Sequence, residues 1–546
     1  MKYTIRARLQ LWLRHVRKRS RGITNPRLWI AAVLIGLVVG YGVVGFIWGI
    51  ELITQIFFGT SQDAMATGLR DSSALRTFLA PVIGSILVAL LIAFGRRMEF
   101  LPRARCMGVA EVIEARAGPP GHLSFRGGLL NTVITALTLG SGASAGREGP
   151  AVLMGGAVAT AFHEKLGLRG KYARTLIGCG AAAAVAASFN APIAGVLFAL
   201  EVILGNYALS VFGPVALSSV IATIITRIHL SHVHAFVIPE YGASGLYDVP
   251  LSIILGLVCG IIAFGYMQSL ASSQNWVKKF TRRYRLDPVL LVPVAGLFMG
   301  FMALFVPEIV GVGYEATSAA LNGLYGLDEL GAFLLLKIIA TIVCLAFGYG
   351  TGIFSGGIYF GAMAGAGFGL IVAMLLPGLT ADAAFYAMIG MGAVSGAILG
   401  APISTTLIIF ELTGDYQMTL NLMIAVGIAT MLARIAFGSS FFHWQLNQIG
   451  YDLSEGPHGV ILQTIRVRDV MRPVPADSEP LDDSQQRLRL SDSLGNALAK
   501  MRLHGLEAMP VVDDEKRRKL VGYLTETRAL AAYNEALVEA DIEHHK

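Results

Sequence analysis

Twelve apolar segments recur along this chain of 546 residues, at about 28–58, 77–95, 128–145, 149–163, 174–203, 208–226, 250–272, 287–307, 331–349, 352–376, 383–412 and 417–437. A succession of that length needs a bilayer, and in lipid every backbone polar group must be satisfied internally, so the segments must be helices. Composition agrees. Charged residues make up 14% of the chain, against about 25% in soluble domains, too few to coat a water-facing surface. Several segments fall short of the ~20 residues a span needs, and others are interrupted by glycine and proline. The 63 glycines and 20 prolines suit helices that pack closely and break inside the membrane. Short, broken apolar segments at matching places in two halves point to a transporter's binding site.

The net charge of +7 is unevenly spread. Residues 1–30 hold Lys2, Arg6, Arg8, Arg14, Arg17, Lys18, Arg19, Arg21 and Arg27 and no acid. Directly before an apolar run, such an arm reads as a cytoplasmic flank rather than a nucleic-acid contact. The run at 28–50 exceeds the ~7–15 residues of a cleaved signal's apolar core, so it reads as a retained first span. The four cysteines (Cys106, Cys179, Cys259, Cys344) lie far apart in apolar stretches, which indicates neither a disulfide framework nor a metal site.

The halves repeat one another. Gly178-Cys179-Gly180-Ala181 leads to Asn190-Ala191-Pro192-Ile193 and on to Glu201; Gly390-Met391-Gly392-Ala393 leads to Gly400-Ala401-Pro402-Ile403 and on to Glu411, each glutamate nine residues past its proline. Basic linkers at 96–105 and 278–285 should both face the cytoplasm. If the N-terminus is inside, the second half then runs opposite to the first, an inverted-topology repeat. The expected division is a basic arm at 1–27, a membrane domain at 28–455 with repeats at about 28–228 and 249–437, a small α/β domain at 463–535 and a tail at 536–546.

The stretch at 140–150 contains Gly146-Arg147-Glu148-Gly149-Pro150. Charges deep in an apolar region cost roughly 2.5–3.5 kcal/mol each on insertion scales. An Arg-Glu pair flanked by glycine and followed by a proline suited to a first helical turn predicts a helix N-terminus at membrane depth. Its N–H groups and positive dipole end attract an anion, and the Glu148 carboxylate is itself one. A structural Arg–Glu pair at a loop is the plain alternative.

Gly146–Pro150 is identical to the Gly-Arg-Glu-Gly-Pro motif of the CLC family of chloride channels and chloride/proton exchangers, which the element order over 30–450 also resembles. The resemblance implies an all-α polytopic fold of two inverted repeats of broken, tilted helices. It also implies a homodimer with one pore per subunit, no cofactor and no enzymatic chemistry. Glu148 would be the external gating glutamate, with Arg147 and Gly149 at the anion site. Gly352-Ile353-Phe354-Ser355-Gly356 resembles the family's Gly-x-Phe-x-Pro motif with glycine for proline; Ile353, Phe354 and Ser355 would inherit anion ligation through backbone amides.

Three positions depart from the family pattern. Met107 in Cys106-Met107-Gly108-Val109-Ala110 stands where a serine hydroxyl contacts the central anion, and a thioether donates no hydrogen bond. Phe442 stands where an inward tyrosine is usual, with His443 in play if the alignment slips by one. Val202 occupies the internal proton-glutamate position beside Glu201, which reads either as structural, because Glu411 repeats it, or as a substitute relay.

These departures favour a passive chloride channel gated by Glu148; the alternative is a proton-coupled chloride or fluoride antiporter. Beyond 462 the chain turns charged, and Ala508-Met509-Pro510-Val511-Val512 and Leu520-Val521-Gly522-Tyr523-Leu524 read as a hairpin of a single CBS-like motif. Arg528 stands where a ribose-binding aspartate is usual, so nucleotide binding is doubtful. The expected setting is the inner (plasma) membrane, multi-pass, both termini cytoplasmic, with a small anion and the bilayer as partners and no nucleic acid.

Overall fold

The computed structural model describes residues 26–101, 108–117, 123–168, 170–230, 236, 239, 245, 247–377, 381–450, 462, 465–474, 486–513 and 520–544. The chain divides into two compact units, residues 1–112 with 123–441, and residues 113–122 with 442–546. Among the described residues, nine helices are long and apolar enough to cross a membrane. Their outward faces carry side chains such as Ile30, Leu90, Ile261 and Phe301, all more than half exposed, as lipid-facing surfaces require.

In the first half run α1 (Pro26–Phe58), α2 (Met65–Asp71), α3 (Ala74–Arg97), α4 (Val109–Ala117), α5 (Phe125–Gly140), α6 (Glu148–Leu166), α7 (Lys171–Phe189), α8 (Pro192–Phe198) and α9 (Leu209–His229). The second half runs α10 (Asp248–Tyr284), α11 (Val292–Phe305), α12 (Tyr314–Leu321), α13 (Leu327–Ala346), α14 (Phe354–Leu375), α15 (Ala383–Leu399), α16 (Pro402–Thr413) and α17 (Tyr416–Phe437). The single apolar runs at 174–203 and 383–412 are each two helices. Asn190 and Gly400 take the left-handed conformation that ends α7 and α15. Pro192 and Pro402 then open α8 and α16 at the first turn, where a missing N–H costs nothing.

The repeat extends to packing. On α6 and α7, Gly155 and Gly180 cross so closely that a Cβ on either would collide with the other's carbonyl. Gly361 on α14 and Gly390 on α15 make the same crossing in the second half. Close backbone approach over small residues replaces the hydrophobic driving force that helices lack in lipid. It also leaves α7 and α15 buried over almost their whole length, and α6 and α14 over most of theirs.

The second unit contains a short helix α18 (Phe441–Asn447, all but its first residue), a helical turn α19 (Val467–Val470), α20 (Leu494–His504) and α21 (Glu526–His544). Its sheet has the order β1-β4-β3-β2, with β1 (Arg472–Pro473), β2 (Leu488–Arg489), β3 (Ala508–Val512) and β4 (Leu520–Thr525). The hairpin pairs β3 with β4 antiparallel, and β2 lies parallel to β3. The strand preceding α20 is Leu488–Arg489, whereas 467–470 is a helical turn. Val467, Leu488, Leu494, Met509, Val511 and Leu524 form this unit's own core.

Candidate functional site

Two helices begin at the centre of the first unit. α6 starts at Glu148 after Arg147, and α14 starts at Phe354 after Ile353. Gly146 and Gly352 tie the two starts together, each N–H donating to the other's carbonyl at 2.9 Å. No side chain fits here: a Cβ on Gly352 would lie 2.9 Å from the Gly149 nitrogen, and one on Gly149 3.1 Å from the Gly352 Cα. The first-turn amides of both helices lack intrahelical acceptors, so two sets of N–H donors and two positive dipole ends converge on one cleft.

Glu148 fills that cleft. It is 4% exposed, with both carboxylate oxygens 2.6 Å from the Ser355 hydroxyl on the first turn of α14. The Tyr314 hydroxyl, at the start of α12, stands 3.5 Å from Oε1. Arg147 turns away from its neighbour: its guanidinium lies over the Tyr314 ring at 4.9 Å and donates to the Ser188 carbonyl at 3.3 Å. The sequence pair Arg147-Glu148 does not form an ion pair: the guanidinium goes to the Ser188 carbonyl and the Tyr314 ring, and the carboxylate to Ser355. Phe354 packs edge-on against Phe189 at the end of α7. Thr135 of α5 donates to the Gly350 carbonyl at 2.7 Å, bracing the approach to α14.

Of the residues singled out from the sequence, Arg147, Glu148, Gly149, Ile353, Phe354 and Ser355 come together here. Met107 lies outside the described residues, but its neighbour Gly108, with φ +58°, lies against the Gly149 backbone at the start of α4. Phe442 is buried on α18 and belongs to the second unit. Glu201 and Val202 lie on a π-helical turn, Ala199–Leu204, that prolongs α8. The Glu201 carboxylate accepts from the Ile403 and Ser404 amides at 3.1 and 2.8 Å and from the Ser404 hydroxyl, capping α16. Glu411 does the same for α8, accepting from Ile193 and Ala194 at 3.0 and 2.7 Å. Tyr314 and the Ser355 hydroxyl went unnoticed in the sequence: the first carries no motif, and a serine at a helix start reads as a cap.

A family model described as voltage gated chloride channel matches residues 84–434, across both helix starts and both repeats. The chain belongs to the CLC family. It is thus an integral membrane protein of anion transport, and a CBS domain model matches residues 467–535. The H(+)/Cl(-) exchange transporter ClcA of Vibrio cholerae is 30% identical over 444 residues, covering 79% of this chain and 91% of the relative. The voltage-gated ClC-type chloride channel ClcB of Escherichia coli is 27% identical over 423 residues, 76% of this chain and 98% of the relative. Among solved structures, a slow cyanobacterial Cl-/H+ antiporter superposes with a TM-score of 0.69 at 24% identity, over 78% of this CLC chain and 98% of its own. A CLC-type fluoride/proton antiporter gives 0.60 at 22%, over 76% and 96%. At these identities the likeness is one of fold.

Proposed function

We propose that this CLC protein exchanges chloride for protons across the membrane, and that Glu148 is the group for which the two ions compete. The observation that carries the reading is the Glu148 carboxylate seated between the α6 and α14 starts, bonded to Ser355. A carboxylate there is an anion in an anion's place. Ionised, it keeps chloride out; protonated, it loses the charge that holds it against the helix dipoles and yields the position. One side chain thereby makes proton uptake a condition of anion entry.

Val202 is the argument for a passive channel, since valine relays no proton. Two observations weigh on the other side. A relative named as an exchange transporter matches at 30% identity over 91% of its length, and the same fold occurs in solved structures named as antiporters. The antiport reading therefore leads, with the proton reaching Glu148 through water rather than through a carboxylate at 202. Chloride is favoured over fluoride because the second anion helix keeps the Gly352-Ile353-Phe354-Ser355 form. Family resemblance supports a homodimer with a separate pathway in each subunit.

The test is the zero-current potential of the reconstituted protein under a chloride gradient, repeated with a pH step. Antiport predicts a shift of the size set by a fixed chloride-to-proton ratio. A potential that follows chloride and ignores pH would return the protein to the passive channels. Repeating the series in fluoride distinguishes the two anions.

A further inference from the structure

Lys337 sits in the middle of α13, 1% exposed, on a helix that reads as a membrane span. A lysine at that depth costs several kcal/mol on insertion scales unless it is well partnered. Its ammonium donates to the Ile309 and Gly311 carbonyls, each at 2.8 Å, and lies 5.0 Å from the centre of the Tyr359 ring. Two N–H groups thus reach carbonyls while the charge faces an aromatic ring, and both oxygen acceptors belong to the strap of residues 306–313 that delivers the chain to Tyr314.

The strap and the helix it enters, α12, are pinned elsewhere as well. Glu308 pairs with Arg70, and Glu315 accepts from the Ala66 and Thr67 amides at the start of α2, at 2.6 and 3.1 Å. One turn along α13 from Lys337, Thr341 bonds Ser144 at 3.3 Å, in the loop that leads to Arg147 and Glu148. One face of α13 therefore holds both approaches to the gate. Lys337 holds the strap that ends in Tyr314, and Thr341 holds the loop that ends in Glu148. The two meet where the Tyr314 ring lies under Arg147 and its hydroxyl points at the Glu148 carboxylate.

We propose that Tyr314 is a gate-stabilising residue and that Lys337 is the positioning residue that holds it, so that a lysine remote in sequence sets how firmly Glu148 occupies the anion position. At 3.5 Å the Tyr314–Glu148 bond is long for an O–H···O pair. Such a bond does not hold its own donor in place; the strap does, and Lys337 fixes the strap. A donor aimed at the ionised carboxylate favours the seated, ionised gate. Loosening it lets the gate protonate and leave at higher pH. The polar and charged groups facing this pair are Arg147 on the gate's own loop, Ser355 from α14 and Asp63 on the Tyr314 side. Those facing Lys337 are Tyr359 from α14 and Cys344 on α13 itself.

The inference rests on Glu148 being the gate, and the test separates the two claims. Anion flux of the full-length protein in liposomes is measured against pH for wild type, Tyr314→Phe, Lys337→Met and the double variant, with Glu148→Ala alongside. Tyr314→Phe keeps the ring under Arg147 and removes only the hydroxyl. Each single variant should raise the pH of half-maximal flux by about half a unit, the size of one modest hydrogen bond. The double variant should go no further than the larger single shift, because both act through one hydroxyl. An unmoved midpoint in Tyr314→Phe, or two shifts that add in full, overturns the inference. If Glu148→Ala retains the wild-type pH profile, the gate reading itself fails. Should Lys337→Met not fold, Lys337→Gln takes its place in the cycle; its shorter side chain holds the carbonyls less firmly, so its shift should have the same sign and be smaller.

Discussion

Ser355 Oγ stands 2.6 Å from both oxygens of Glu148, yet a hydroxyl has one proton to give, so it donates to one oxygen at a time. The same hydroxyl is free for an anion once the carboxylate leaves, which gives α14 a side-chain ligand beyond its backbone amides. Ser355→Ala should therefore weaken both occupants. A hydrogen bond to a charged group contributes roughly 1.5–3 kcal/mol, so the variant should raise the pH of half-maximal flux by about one unit or more and lower chloride affinity about tenfold. Flux against pH and chloride titration by calorimetry measure the two effects, and a change in only one would separate gate from ligand. Glu148→Ala should raise flux and remove most of its pH dependence; a folded variant that conducts less than wild type would mean Glu148 is no gate. The position of Glu148 was legible because Gly146–Pro150 is a contiguous motif. Tyr314 was not, because it reaches the carboxylate from 166 residues away, on an eight-residue helix that no apolar run announces.

At the scale of elements, helix ends carry most of what apolar periodicity could not display. The segment at 174–203 looked like one span because its break, at Asn190-Ala191-Pro192, consists of residues that suit the end of one helix and the start of the next. The basic stretch 278–285, read from the sequence as a linker, is the last turns of α10 and its cap Arg285, and it shows the converse, a feature whose surroundings decide its worth. Asp287, just beyond it, receives Arg96 from the end of α3 at 2.7 Å and the Val289 amide at 3.1 Å. Burial pushes the Asp287 carboxyl up, but the Val289 amide and the Arg96 guanidinium outweigh it and hold it below the usual carboxylate range. A carboxyl lowered on folding adds stability above its unfolded value and loses it as pH falls through its folded one. The pair is about half exposed, so its worth is ~0.2–1 kcal/mol. Asp287→Asn should lower the melting temperature slightly at neutral pH. That difference should shrink as pH falls through the lowered folded-state value and vanish once the wild-type carboxyl is protonated as well. A difference that persists in acid would show that shape, not charge, joins α3 to the start of α11.

Across the whole membrane unit, the two repeats are joined by reciprocal contacts. Gly146 and Gly352 exchange backbone bonds, Glu201 caps α16 of the other repeat, and Glu411 caps α8. The matched glutamates nine residues past each proline were visible in the sequence. Their reciprocity was not, because periodicity shows what each half contains and not where the other half lies. The exchange bears directly on the proton. A carboxylate that accepts two amides and a hydroxyl at a helix start is held in one orientation, and a relay must instead turn as it passes a proton on. We therefore expect Glu201→Gln to leave the chloride-to-proton ratio unchanged while lowering thermal stability by ~1–2 kcal/mol, as the loss of a good helix cap does. Glu411→Gln, its counterpart on the half without a gating glutamate, should cost about as much, which makes it the control for damage unrelated to protons. Coupled flux in liposomes and thermal unfolding in detergent measure the two quantities on the same preparations. If Glu201→Gln keeps chloride flux but abolishes proton movement, and Glu411→Gln does not, then Glu201 is the relay in place of the missing carboxylate at Val202. The geometry argues the other way: each proton taken up by Glu201 would weaken the bonds it accepts from the Ile403 and Ser404 amides, and each turn of its side chain would break them.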